Sequence, residues 1–171
     1  MLNREEIEKL IKEKNLIEGC VDLEKQITPN GIDLTAANIY QWVGAGSVDF
    51  SNKERVLPRE KEVLPQKINP GDKFGWWELP KGVYKIKTNE TVNMPQDLIA
   101  MATSRTTLLR MGAFTEHGIW DAGFCGKSEF MLVVENPAGI KIKQNSRVAQ
   151  LVFVPIQETG HSYNGIYQNK K

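Results

Sequence analysis

Two stretches of the chain concentrate the residue types that chemistry on a phosphate ester needs. In SRTTLLRMG, the hydroxyls of Ser104, Thr106 and Thr107 and the guanidinium groups of Arg105 and Arg110 fall within seven positions. If Leu108 and Leu109 anchor the segment in the core, several donors converge on one anion, because guanidinium forks match phosphate oxygens bidentately. The same residues also suit an ordinary helix start, with Ser104 or Thr106 as N-cap and solvated arginines. Spacing alone leaves both readings open.

The second stretch, GIWDAGFCG, carries a single acid, Asp121, after an apolar run and before a glycine-flanked turn. Its carboxylate is expected at a strand end beside the core, where partial burial tunes its pKa and lets it orient and deprotonate a water. The alternative is an aspartate that stabilises a turn through its own backbone. Asp33 in PNGIDLT poses a similar choice, between an Asx-type turn after Asn30-Gly31 and a carboxylate that holds a metal-bound water. NSRVAQLVF offers Arg147 and Gln150 on a strand, and Gln150 is either a satisfied core amide or a ligand contact. Neither His117 nor His161 has an i, i+4 partner, so neither is expected to ligate a metal.

These residues need a scaffold of strands. Residues 1–15 read as a capped helix: Asn3 accepts from the backbone of Glu6, Glu6 reaches back, Leu2 staples onto Ile7, and Ile7, Leu10 and Ile11 form one apolar stripe. Beyond it the helical period disappears. Short apolar segments then alternate with Pro, Gly and Asn, the rhythm of an all-β sandwich or barrel. FMLVVENPAGIKIK predicts a hairpin turning at Pro137 and Gly139, while YKIK and IKIK predict strands with one buried face and lysines in water. Residues 51–80 read as a long connection with one irregular strand, in which Trp76 and Trp77 cover the core rather than stack on a ligand. Residues 160–171 read as a mobile C-terminal tail.

Composition narrows the setting. A chain of 171 residues with 40% hydrophobic content suffices for a single domain, 1–171. Its 22 basic and 21 acidic residues nearly cancel, so no nucleic-acid polymer is expected as partner. No apolar run is long enough for a membrane span, and MLNREEIEKLIKEK is too charged for a secretory signal. Cys20 and Cys125 form neither a zinc motif nor an expected disulfide. A cytoplasmic protein is the expectation.

Taken in order, the segments resemble the dUTPase and dCTP deaminase superfamily, most closely its archaeal-type dUTPase branch, from about Val21 to Gln168. PNGIDLT resembles the first motif, SRTTLLRMG the second, GIWDAGFCG the third, NSRVAQLVF the fourth, and YNGIYQ the tail motif. The resemblance implies a distorted β-barrel (a dUTPase-like jelly roll) with a short N-terminal helix, assembled as a homotrimer with sites between subunits. It also implies Mg²⁺-dependent hydrolysis of dUTP to dUMP and pyrophosphate.

By the same resemblance, Asp121 activates the water that attacks the α-phosphorus. Arg105, Thr106, Thr107, Arg110 and Gln150 bind phosphates, and Asp33 positions the metal through water. The segment Gly118, Ile119, Trp120 to Phe124 reads base and deoxyribose, with His117 contacting the base or walling the pocket. Tyr163, Tyr167 and Gln168 close the site as a lid. Ser104 replaces the usual proline of the second motif, and Thr106 and Thr107 replace serines, which keeps the hydroxyls. In deaminase-type relatives a catalytic glutamate lies ten residues after the third-motif aspartate. Here that position is Met131, which cannot shuttle a proton, and this favours pyrophosphohydrolase. Glu129, two residues earlier on the same strand face, keeps dCTP deaminase or bifunctional activity as the alternative. A non-catalytic nucleotide-binding trimer is the other class, though binding alone would not need Asp121.

Overall fold

Asn3 and Glu6 close the N-terminal helix reciprocally: Asn3 Oδ1 accepts from Glu6 N at 2.9 Å, and Asn3 N donates to Glu6 Oε2 at 2.8 Å. The helix, α1 (Arg4–Lys14), ends at Asn15 in a left-handed conformation, φ 52°. Leu2 and Ile7 are both buried, and Leu10 and Ile11 pack against the core beside them. A bond from Leu2 N to the Phe153 carbonyl, 2.9 Å, ties this end to the sheet.

The computed structural model describes residues 1–169. After α1 come β1 (Ile17–Glu18), α2 (Leu23–Gln26), β2 (Ile27–Thr28), β3 (Gly31–Val43), β4 (Arg59–Val63), β5 (Trp76–Leu79) and β6 (Gly82–Asn93). Then follow β7 (Leu98–Ser104), α3 (Thr106–Arg110), β8 (Ala113–Glu116), β9 (Cys125–Val134), β10 (Ile140–Lys143) and β11 (Arg147–Pro155).

The main sheet runs β7-β11-β3-β6-β9-β8, all antiparallel, with β1 on β6 and both β2 and β4 on β3. Its two edges meet. Ala100 on β7 exchanges both backbone bonds with Trp120, in the β8–β9 connection, at 3.0 Å each, and Ser104 Oγ accepts from Thr115 N of β8 at 2.7 Å. The protein is therefore mainly β with a nearly closed, barrel-like sheet, filled by Ile32, Leu34, Ile39, Ile86, Leu132, Leu151 and Phe153. Gly31 is required where β3 presses on β11, since a Cβ there would collide with the Leu151 carbonyl oxygen.

Three expectations about elements are corrected. The turn at 136–139 forms, with Gly139 at φ 73°, but β9 and β10 do not pair. β6 and β8 already occupy both edges of β9, so β10 leaves the main sheet and pairs with β5. Residues 51–80 hold two short strands, β4 and β5. Lys85 of YKIK is buried rather than solvated, because Glu60 of β4 and Tyr40 of β3 cover that face of β6. In β10, Ile140 and Ile142 are buried and Lys141 is exposed, as the alternation predicts.

Trp77 is core, 1% exposed, and its Nε1 donates to the Val63 carbonyl at 2.7 Å, whereas Trp76 is half-buried beneath Lys143. Both cysteines are free thiols. Among the described residues no helix is long and apolar enough to cross a membrane.

Candidate active site

Asp33 stands near the start of β3, where the antiparallel register sets it directly opposite Gln150 of β11. β7 lies on the other side of β11 and delivers Arg105 at its end. Arg105 Nε reaches Asp33 Oδ2 at 3.0 Å, and Arg147 Nη1 reaches the same oxygen at 3.3 Å. Arg147 also donates to the Lys25 carbonyl, and Arg105 Nη1 to the Arg147 carbonyl at 3.3 Å, so both guanidinium groups are held from two sides. Gln150 Nε2 donates to Thr28 Oγ1 at 2.6 Å, so its amide is partnered at the edge of this cluster.

Burial pushes the Asp33 carboxyl above its ordinary range, and the two arginines partly hold it down. Its backbone is fixed from below. Gln26 Nε2 donates both to the Asp33 carbonyl, 2.9 Å, and to the buried Glu90, 2.7 Å, which also accepts from Thr35 N at 2.9 Å. Glu90 comes into reach through a bulge of β6 between Lys87 and Thr91.

After Arg105 the chain makes one short helical turn, α3, with Arg105 itself at the N-cap and no side-chain cap. Neither Ser104 nor Thr106 caps it; Ser104 instead joins β7 to β8. Leu108 anchors the turn in the core, but Leu109 is 54% exposed, because a five-residue turn has one inward face and cannot bury two adjacent leucines. Thr106, Thr107 and Arg110 are exposed beside the Arg105–Asp33 pair.

A second group forms in the β8–β9 connection. Trp120 is buried, bridged to Ala100, and donates from Nε1 to Ser128 Oγ at 2.8 Å. The turn after it closes by Phe124 N donating to the Asp121 carbonyl at 3.1 Å, with Gly123 at φ 80°. Gly118 and Ile119 are exposed, and Phe124 is buried. Asp121 departs from expectation: its side chain is exposed, since inward-facing Trp120 and Ala122 on either side turn it outward.

His117 does not itself line the cavity beside this group but packs behind it, against Trp120 and Phe130. Its ring lies 4.6 Å from Phe130 and 5.9 Å from Trp120 between centroids, and burial pushes its pKa down to about 4. The buried Nε2 has no hydrogen-bond partner among the described residues.

The two groups occupy different points along β7. Trp120 pairs with Ala100, while Arg105 follows Ser104, so they are separated by roughly 15 Å of strand. Phosphate-type donors and the Asp121 turn are thus not brought together within one chain.

Beside the Asp121 turn opens a cavity of about 360 Å³, lined by Ile119, Trp120, Phe124, Tyr163 and Tyr167 together with the β9 face that carries Glu129 and Met131. The tail closes one side of it. Tyr163 N donates to the Ala122 carbonyl at 2.9 Å, and its ring meets Phe124 edge-on at 5.5 Å. Gln168 Oε1 accepts from Cys125 N at 2.9 Å, and its Nε2 donates to the Gly123 carbonyl at 2.8 Å. At Gly123 a Cβ would run into Ser162 Oγ, so glycine there is what lets the tail seat.

Sequence reasoning missed the pairing of Arg147 with Asp33, although both lie in flagged motifs. It also missed the ion pairs of Lys85 with Glu60, 2.6 Å, and Glu129, 3.1 Å, at the cavity floor. No sequence signal pointed to Glu60, which arrives from the long connection.

No three His, Cys, Asp or Glu side chains among the described residues are grouped to hold a metal ion. A hard divalent cation that takes most of its oxygens from water and a polyphosphate needs only one or two carboxylates, and Asp33 or Asp121 could supply them.

A profile of the dCTP deaminase-like family matches residues 1–156. The chain is 47% identical to a probable deoxyuridine 5'-triphosphate nucleotidohydrolase of Methanosarcina mazei, over 99% of this chain and 97% of that protein. It is 42% identical to the protein of the same description from Archaeoglobus fulgidus, over 99% and 96%, and 35% identical to the deoxyuridine 5'-triphosphate nucleotidohydrolase of Methanocaldococcus jannaschii, over 86% and 90%. Its fold is similar to a 2'-deoxycytidine 5'-triphosphate deaminase from Agrobacterium tumefaciens, TM-score 0.64 at 21% identity, covering 89% of this chain but only 46% of that one.

Proposed function

Because this chain belongs to the dCTP deaminase-like family, we propose that it is a dUTP diphosphatase, releasing pyrophosphate from dUTP and leaving dUMP. The observation that carries the choice of reaction within the family is Met131. It faces the cavity where the deaminase-type glutamate would stand, and a thioether can neither shuttle a proton nor polarise water. Glu129 also faces the cavity, but Lys85 pairs with it at 3.1 Å, which favours a fixed carboxylate over a proton carrier. The curated archaeal relatives named as dUTP nucleotidohydrolases agree with this choice.

In this reading the uracil and deoxyribose enter the cavity beside Gly118 to Phe124, with Phe124 under the sugar and the backbone of the turn along the base, while His117 packs behind the lining residues Trp120 and Phe130. Asp121, exposed at the turn, orients a water and takes its proton as the oxygen attacks the α-phosphorus. The bond from that phosphorus to the bridging oxygen breaks, and pyrophosphate departs. Arg105, Thr106, Thr107, Arg110 and Gln150 hold the phosphates, their donors aimed where negative charge accumulates. Asp33 would hold the water shell of Mg²⁺, whose charge neutralises phosphate oxygens in such reactions. Tyr163, Tyr167 and Gln168 act as a lid that excludes solvent.

The separation between Arg105 and the Asp121 turn, with Asp121 facing outward, supports a site shared between copies of the chain. We infer a homotrimer in which one copy supplies the turn and its neighbour the phosphate cluster. The exposed apolar residues Val48, Phe50, Leu64, Ile68 and Met101 offer surface for such contacts.

A product assay on dUTP and dCTP side by side, with Mg²⁺, tests the reading. Pyrophosphate from dUTP and no change in dCTP is the expected result; ammonia from dCTP would reassign the chain to the deaminases.

A further inference from the structure

Lys85 of β6 and Met131 of β9 are partners in the antiparallel register, so their side chains share one face, and Glu129 lies two residues before Met131 on that face. All three line the cavity beside the Asp121 turn. The Lys85 side chain is only 9% exposed, with Glu60 Oε2 at 2.6 Å, Glu129 Oε2 at 3.1 Å and the Tyr40 ring centroid at 4.8 Å. An ammonium carries three N–H donors, of which these carboxylates take two, and an ionised carboxylate accepts several hydrogen bonds at once. Of the other polar lining residues, Ser128 has its hydroxyl engaged by Trp120 Nε1, and Lys127 lies at the far end of the β9 face from Met131. The remaining walls are largely apolar or aromatic, and in such a cavity a few fixed polar groups set specificity.

We propose that Lys85 and Glu129 form an ordered donor–acceptor pair that reads the edge of the base and selects uracil over cytosine. The proposal rests on the dUTP reading of this cavity. Uracil presents an acceptor, O4, beside a donor, N3–H; cytosine presents the reverse, a 4-amino donor beside the N3 acceptor. The ammonium donates to O4 and the carboxylate accepts from N3–H. The order of the two groups is fixed by strand register and by the Glu60 and Tyr40 contacts of Lys85. In the anti orientation about the glycosidic bond that pyrimidines prefer, cytosine sets donor against ammonium and acceptor against carboxylate. Thymine carries the same O4 and N3–H as uracil, so this pair does not separate the two.

The test is the affinity of the full-length protein for the α,β-imido triphosphates of deoxyuridine, deoxycytidine and deoxythymidine, by titration calorimetry. Glu129→Gln and Lys85→Met are each expected to reduce the uracil-over-cytosine preference about tenfold or more, with the uracil-to-thymine ratio unchanged. Lys85→Arg, which keeps charge and donor, is expected to retain the preference and guards against a Lys85→Met that does not fold. An unchanged uracil-to-cytosine ratio in Glu129→Gln, or both ratios falling in parallel, overturns the proposal. Failure of the wild-type protein to release pyrophosphate from dUTP overturns the parent reading instead, and is seen in a separate turnover assay.

Discussion

Arg105 Nε and Asp33 Oδ2 lie 3.0 Å apart, an ion pair between the end of β7 and the start of β3, with the acid almost completely buried and the arginine partly open to solvent. Arg147 shares the same oxygen, so one carboxylate orders two guanidinium groups that are both partly open to solvent. The pair is therefore a structural support as well as part of the proposed phosphate site.

Asp33→Asn leaves both arginines without their countercharge. Because burial disfavours the Asp33 charge and the two arginines only partly offset this, we expect a small net change in stability, within about 1 kcal/mol. Urea unfolding measures it, and a loss of several kcal/mol would show that the ion pairs outweigh the burial of the acid.

Asp121→Asn should separate chemistry from folding. The side chain is exposed in the chain, so the melting temperature should stay within a degree or two. Turnover of dUTP should fall by about two to four orders of magnitude if the carboxylate takes the proton of the attacking water. Pyrophosphate release with nucleotide binding measured in parallel checks this, and an unimpaired variant would remove Asp121 from the mechanism.

His117 predicts an acid limb in stability. Its imidazole is pushed down to about 4 in the fold, whereas in the unfolded chain it titrates at about 6.5. Between those values the unfolded chain binds the proton and the folded one does not. Stability from this group is thus complete above the unfolded pKa and is lost as pH falls through the folded one. His117→Leu removes an unpartnered buried nitrogen and should flatten this limb relative to wild type in denaturation curves from pH 7 to pH 4. Parallel curves for the two proteins would contradict the assignment.

Deleting residues from Tyr163 onward removes the backbone bond to Ala122 and both contacts of Gln168. If the tail is a lid, kcat on dUTP should fall more than assembly suffers. Light scattering coupled to size exclusion reads the assembly. Dissociation of the oligomer on truncation would make the tail a structural clasp.

Gly123→Ala should destabilise by about 1 kcal/mol or more, since φ 80° is unfavourable for alanine and its Cβ meets Ser162. The loss should be smaller in the truncated chain, where Ser162 is no longer held down by the residues after it. A thermal melt of the four proteins checks the coupling.

Local patterns settled much of this protein before any folding is considered. The capping box at Asn3 and Glu6, the strand rhythm and the turn at Gly139 were legible because they depend on neighbours a few positions away. Five motifs in order also pointed to the family. Long-range placement decided the rest. YKIK reads as a strand with wet lysines, yet Lys85 is buried, because its surroundings come from Glu60 and Tyr40 on other strands. FMLVVENPAGIKIK reads as a hairpin, yet β9 already has a partner on each edge. Asp121 reads as a sheltered acid, but its exposure depends on which way the β8–β9 connection turns. Periodicity in a sequence reports which side of a strand is which; what covers each side, and which edges are taken, is decided by segments far away in the chain that only the tertiary structure brings near.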